Sequence, residues 1–347
     1  MSLIAILGAL FLEQIFPLAS YSKLREVLRN AIDYIERALS MDQAKPWQTF
    51  WFITLVGALI AGLLNYALDT THQMLGLIFT IAVLYLTLGI RQFSHYYSKI
   101  REALTAKDDA QARTALAEWL REEAELTGYR GSVQVAQLTE VQVIRQALEM
   151  AILSSLRYVF AGLFWYLLFV PFKIGLAGIV FYRLADLLAR RWHLRAEGKD
   201  DAYTRYARKM MGWIEFLPAR FAAVVFAVVG NFEEALHSWR TQAASLRQLG
   251  ESDAASVILT AGAGALGVTL REGIGQRTQD MMDEHELALY NEDAMSKTQE
   301  TTQSAGQIGN GPAPDVRTLN SGVGMFWRAM IFVLFLLLML TLSKILG

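Results

Sequence analysis

The sequence predicts an all-α membrane protein: a polytopic helical bundle with cytoplasmic helical segments and a flexible polar linker before the last transmembrane helix. Three observations support this fold class. Of the 347 residues, 54% are apolar and 19% charged, and the mean hydropathy is +0.28, values shifted toward membrane proteins. Several apolar runs are long enough to cross a bilayer. Lys and Arg are concentrated in some connecting segments and absent from others, as in multi-pass proteins.

The composition also excludes several functions. There is no cysteine, so disulfides, thiolate metal sites and a cysteine nucleophile are ruled out. The five histidines show no metal-ligand spacing, and we expect no metal site from them. A net charge of −1 gives no reason to expect a nucleic-acid partner. From the residues alone we therefore expect no cofactor, and the lipid bilayer as the main partner.

The pattern divides the chain into five regions. They are an N-terminal membrane hairpin region (1–90), a cytoplasmic helical segment (91–146), a core with re-entrant or transmembrane hairpins (147–270), a flexible linker (271–322) and a C-terminal transmembrane helix (323–347).

The first region begins with an apolar run at 3–16, which is short and is interrupted by Glu13. We do not expect it to be a cleaved signal peptide, and whether it crosses the bilayer stays open. Apolar residues at helical spacing predict an amphipathic helix over 21–41. Two spans follow at 50–68 and 74–90.

The turn between these spans, Asp69–Gln73, carries no Lys or Arg, whereas the segment after Arg91 is rich in both. Because such basic segments stay in the cytoplasm, the turn is predicted to face outward. Asp108 and Asp109 are candidate caps of a cytoplasmic helix, and Thr139 begins the next helix at capping-box spacing.

The core region is predicted to start with an out-and-back hairpin of helices at 147–170 and 174–188, bent at Pro171. The apolar run 218–230 has only 13 residues, so it is either re-entrant or packed inside the bundle. Small residues over 252–268 indicate close helix contact.

In the linker we expect one short helix near 280–290, and the last span is predicted at 326–346, with Trp327 and Arg328 at its inner edge.

Charged side chains beside apolar runs are costly and usually pair or face water. We therefore predict a shared polar cavity at the cytoplasmic end of the bundle that binds a small anionic ligand; no catalytic residue is assigned. The alternative is that these groups pair with one another and only fix helix packing, and Arg145 with Glu149 could be an ordinary i,i+4 pair. The candidate ligand-binding residues are Arg145, Glu149, Arg157, Tyr182, Arg183, Asp186, Glu215 and Arg220.

Four pieces of sequence resemble the CobD/CbiB family of integral membrane proteins in their order along the chain. They are Ala161-Gly-Leu-Phe-Trp165, Gly175 with Tyr182-Arg183, Leu217-Pro-Ala-Arg220 and Ala263-Gly-Ala-Leu-Gly-Val268. The resemblance implies a cobalamin-biosynthesis ligase, an adenosylcobinamide-phosphate synthase, that joins adenosylcobyric acid to aminopropanol phosphate. It also implies Mg²⁺ and ATP as cofactor and co-substrate, and a corrinoid ligand.

The chain departs from the family's acidic positions. Glu149 is kept, but Leu153, Arg157 and Leu259 stand where the family has acids, and Ser154 stands where it has Asn. With the opening Met1–Phe16 stretch, these departures resemble the AmpE branch. They predict a non-catalytic sensor or regulator in the bacterial inner (plasma) membrane, multi-pass, with room for a membrane-protein partner. The alternative is the ligase; a transporter is disfavoured because no repeated pair of broken helices is seen.

Overall fold

A computed structural model describes residues 2–15, 45–127, 135–196, 201–273 and 306–346. Within these ranges the protein is helical, and the β-structure is one isolated antiparallel bridge between Arg271 and Ile308. The predicted all-α membrane bundle is confirmed. Two predicted helices, at 21–41 and near 280–290, lie outside the described residues.

The N-terminal region contains α1 (Ser2–Ile15), α2 (Pro46–Thr71) and α3 (Gln73–Thr87), with α3 packed between α1 and α2. At 26 residues, α2 is long enough to cross a bilayer. The predicted second span is shorter than expected, because α3 has 15 residues and a crossing takes about 20. Glu13 is buried and accepts a hydrogen bond of 3.0 Å from the backbone N–H of Arg91, so it serves the start of the following helix.

Two polar helices follow, α4 (Ile90–Thr105) and α5 (Asp109–Thr127), packed against each other. The predicted caps are present. The carboxylate of Asp108 accepts from the N–H of Gln111 at 2.9 Å, and Thr139 and Gln142 form a reciprocal capping box. Each satisfies backbone N–H groups that a helix start leaves without partners.

The core hairpin begins with a continuous 33-residue helical stretch, Glu140–Phe172. It consists of α6 (Glu140–Ser155), a π-helical turn (Leu156–Phe160), α7 (Ala161–Phe169) and a short 3₁₀ turn (Val170–Phe172). It therefore starts before the predicted residue 147.

The chain then reverses at Lys173, which has a left-handed φ of 62°, and returns as α8 (Gly175–Arg195). The two arms touch at Gly178, where a Cβ would lie 2.3 Å from the carbonyl oxygen of Trp165. Only glycine allows this approach.

The second half of the core contains α9 (Ala202–Ile214), α10 (Phe216–Val229), α11 (Phe232–Gln248) and α12 (Asp253–Leu266). A bend of 45° separates α9 from α10. The small residues of α12 bring it against α11, and a Cβ at Gly264 would lie 2.4 Å from the carbonyl oxygen of Glu234. The predicted close helix contact is thereby confirmed.

The last helix, α13 (Val316–Leu346), begins earlier than the predicted 326 and takes in the end of the predicted linker. The chain just before it is also ordered, because Arg271 pairs with Ile308 and Thr269 donates to the carbonyl of Gly311 at 2.5 Å. Among the described helices three are long and apolar enough to cross a membrane, or four if the bent pair α9 and α10 counts as one span.

Candidate functional site

The first charged group surrounds the π-turn in the core hairpin. Its Arg157 donates to Glu123 of α5 at 2.7 Å, and the Tyr158 hydroxyl donates to the other oxygen of Glu123 at 3.2 Å. Arg190 of α8 in turn donates to the Tyr158 hydroxyl at 3.1 Å and to Asp186 at 2.9 Å. Three helices therefore meet at one network of charges.

Arg183 holds the π-turn itself. Its guanidinium donates to the backbone carbonyls of Arg157 at 3.0 Å and Tyr158 at 2.6 Å. A π-turn interrupts the regular i→i−4 bonding of the helix, and the planar fork of arginine suits two adjacent acceptors. The guanidinium also lies 5.9 Å from the ring centre of Tyr158 and 5.7 Å from that of Tyr182. Arg183 therefore fixes the local geometry that aims Arg157 at Glu123.

Acids balance the arginines in this π-turn group. Glu123, Asp186 and Glu215 face Arg157, Arg183 and Arg190. Glu215 also accepts from the Tyr182 hydroxyl at 3.1 Å. The group thus carries roughly as many negative as positive charges.

The second group, which we call the Glu149 group, lies at the start of the same helical stretch. Glu149 is buried and pairs with Arg271 at 2.9 Å, and Arg271 also reaches Glu251 at 3.2 Å. Arg145, one turn before Glu149, pairs with Glu272. Burial lowers the pKa of Arg271, but the charges of Glu149 and Glu251 outweigh it, so its pKa lies above the usual value. Arg271 stays protonated and joins two carboxylates from different elements.

The third group is a cluster of ion pairs that joins α10, α11 and α12. Asp253 accepts from Arg220 and from Arg247, each at 2.7 Å. Burial alone would raise the pKa of Asp253, but the hydrogen bonds and charges of the two arginines lower it overall. The cluster ties together the ends of three helices.

By their direct contacts, the predicted site residues fall into these three groups. Arg157, Tyr182, Arg183, Asp186 and Glu215 belong to the π-turn group, Arg145 and Glu149 to the second, and Arg220 to the third. The first two groups lie on one helical stretch, eight residues or about 12 Å apart. Arg145 and Glu149 do not pair with each other; each has a partner from the chain beyond α12.

Sequence reasoning missed most of the partners. Glu123, Tyr158, Arg190, Arg271 and Glu272 contact predicted site residues, and Glu251 contacts Arg271. Arg190 could have been found, since it lies four residues after Asp186 on one helix. The others come from distant segments, and no local spacing signals them.

Two of the three positions at which the chain lacks family acids hold packed apolar side chains. Leu259 is 1% exposed and lies in the core, and Leu153 packs against the core from a half-buried position. Among the described residues, no group of three or more His, Asp or Glu could hold a metal ion.

The sequence profile of the CobD/Cbib protein family matches residues 7–305, most of the chain. The chain belongs to the CobD/Cbib family. Two proteins named "Cobalamin biosynthesis protein CobD" are similar to it. The one from Stutzerimonas stutzeri is 26% identical over 336 residues, which are 93% of each chain. The one from Chromobacterium violaceum is 32% identical over 203 residues, 58% of this chain and 57% of that protein. No solved structure matches.

These relatives overturn the prediction of a non-catalytic, AmpE-like regulator. The similar proteins are named for cobalamin biosynthesis, and nothing separates the chain into an AmpE branch. The prediction failed because it counted acids only at aligned positions. The structure places Glu251, Glu272 and Glu123 beside Arg271, Arg145 and Arg157, so carboxylates from distant segments lie next to these arginines.

Proposed function

We propose that this chain is the amide-forming ligase of its family, joining adenosylcobyric acid to aminopropanol phosphate at the expense of ATP. The observation that carries the proposal is the match to a cobalamin biosynthesis protein over 93% of both chains. The family profile, which matches residues 7–305, covers every residue of the three charged groups. The motifs of the hairpin and of Leu217–Arg220, which resemble the CobD/CbiB family, also support the ligase function.

We place the reaction at the Glu149 group. A carboxylate is a poor electrophile, so forming an amide from it requires activation by ATP, and the site must bind phosphates. Arg145 and Arg271 offer two guanidinium groups, which suit phosphate oxygens. Glu149 and Glu251 approach one another closely enough to share Arg271, so carboxylates and cations are present together.

Mg²⁺ fits this set of residues. It is commonly bound by one or two carboxylates, with phosphate oxygens and water completing its shell. Glu149 and Glu251 would hold it, and when bound it would neutralise charge on the phosphates of ATP. Glu149 is buried, so its position is fixed by packing before a ligand binds. Arg145 and Arg271 orient the phosphates.

We also propose that the protein crosses the bacterial inner membrane several times with this site on the cytoplasmic side. Three helices have the length and composition to cross. The basic stretch from Arg91 to Arg145, which lies inside by the charge bias of membrane proteins, ends at the Glu149 group. ATP and phosphorylated substrates are then available to the site.

The purified protein tests the proposal. In detergent with Mg-ATP, adenosylcobyric acid and aminopropanol phosphate, we expect the amide product by mass spectrometry. Glu149→Gln should lower the rate by about 100-fold, the size of losing one key electrostatic group. Glu140→Gln, at an exposed position about two and a half turns before Glu149, should leave it unchanged. Absence of product from folded wild-type protein would overturn the function, and full activity of Glu149→Gln would overturn the site.

A further inference from the structure

A second feature of the molecule is a cavity of about 230 Å³ between α4, α6 and α13, which opens to the surface. On α6 the cavity is lined by Leu148, Ile152 and Ser155. These residues lie on a different face of the helical stretch from Glu149 and Arg157. No residue of the three charged groups lines it. The cavity is therefore separate from the proposed reaction site.

The lining is mostly apolar, with hydroxyl groups from Ser94, Tyr97, Ser98 and Ser155. Two of its hydroxyl groups are already used, since Tyr97 donates to the carbonyl of Leu319 at 2.8 Å and Ser155 to that of Ile152 at 2.7 Å. Protein interiors are normally close-packed, and an apolar cavity of about 150 Å³ stays dry and binds benzene. A cavity of this size and lining suits an apolar group larger than benzene.

The cavity reaches the surface at Trp327, which lines it and is 40% exposed. Ile331 and Phe335, one and two turns further along α13, are 64% and 52% exposed. These three side chains form one apolar face on a helix long enough to cross the bilayer, and lipid chains cover such a face. Tryptophan at this place is typical of the membrane interface.

We propose that the cavity binds the end of one lipid acyl chain, which enters beside Trp327 from the surrounding bilayer. The occupant follows from the continuity of the cavity with the lipid-facing side of α13, from its apolar lining and from its volume. The bound chain packs α4 and α6 against α13. This inference does not depend on the ligase function.

Native mass spectrometry of the full-length protein, with one phospholipid of uniform chain length, tests this proposal. Wild-type protein should retain one lipid after the others are removed with a detergent that has no alkyl chain. Ala151→Phe, which fills the cavity from α6, should lower the retained fraction at least fivefold. Ala67→Phe makes the same change at an exposed position of α2 and should retain lipid like the wild type.

Ser94→Leu fills the cavity from α4. It replaces Ala151→Phe in the experiment if thermal unfolding shows that Ala151→Phe does not fold. A single-chain alkyl detergent should displace the lipid, whereas glycerol phosphate, which has only the headgroup chemistry, should not. The proposal is overturned if wild-type protein retains no lipid, if the folded filling variants retain it fully, or if glycerol phosphate displaces it.

Discussion

Glu149 pairs with Arg271, which lies 122 positions further along the chain, although Arg145 is only one turn away. The sequence identified Arg145 and Glu149 as site residues because charges beside apolar helices need partners. It could not identify those partners, since spacing along one helix shows only local pairs. The same reason explains why Glu251 and Glu272 were missed.

Two double-mutant cycles distinguish a pairing of Arg145 with Glu272 from a pairing of Arg145 with Glu149. We expect Arg145→Ala and Glu272→Ala to be coupled by about 1 kcal/mol in the free energy of unfolding, because the two side chains form a direct ion pair. Arg145→Ala and Glu149→Ala form no direct bond and should combine with a much smaller coupling. Chemical unfolding in detergent measures both cycles. A larger coupling for Arg145 with Glu149 would contradict the structure.

Asp253 predicts a pH dependence. Its folded-state pKa lies below the ordinary value of 3.8, so its contribution to stability is present above that value and is lost as the pH falls through the lowered pKa. Asp253→Asn should therefore lower the melting temperature at neutral pH, and the gap to wild type should narrow in acid.

The control is Asp108→Asn, since Asp108 is exposed and Asn caps a helix as well as Asp does. Thermal unfolding at about pH 7 and about pH 3 gives the comparison. If the difference in melting temperature between Asp253→Asn and wild type does not change with pH, the lowered pKa of Asp253 is contradicted.

Among the elements, the core hairpin was predicted well and its most specific detail was missed. The apolar runs and Pro171 predicted two arms and a bend, and Gly178 allows their contact. No sequence pattern signalled the π-turn at Leu156–Phe160, because it depends on Arg183 from the other arm. The sequence also did not predict that the end of the linker is helical. Contacts of Gly309 with Gln242 and of Gly311 with Thr269 hold the chain just before this helix.

Arg183→Lys tests the π-turn. Lysine keeps the charge but cannot donate to two carbonyls through a planar fork, so we expect a loss of about 2 kcal/mol in the free energy of unfolding. Faster hydrogen exchange over residues 157–163 should accompany it. Arg195→Lys on the same helix should change little, because lysine keeps the cation over the ring of Tyr203. Unchanged exchange in Arg183→Lys would show that the π-turn does not need the guanidinium.

For the whole molecule, composition and apolar runs were enough to predict a membrane helical bundle, and ordered short motifs were enough to predict its family. The function was predicted wrongly from the same residues. Aligned positions showed acids replaced by Leu153, Arg157 and Leu259, whereas only the fold shows that distant segments bring carboxylates to the arginines. The assembled charges, more than any one motif, make the ligase chemistry reasonable for this chain.

Growth rescue tests the ligase most directly. A bacterial strain without its own adenosylcobinamide-phosphate synthase is supplied with cobyric acid under conditions that require cobalamin. Expression of this chain should restore growth, Glu140→Gln should do the same, and Glu149→Gln should fail although it reaches the membrane in equal amount. If the wild-type chain is inserted in the membrane and the cells grow only when cobinamide is supplied, the account of this protein as the ligase is contradicted.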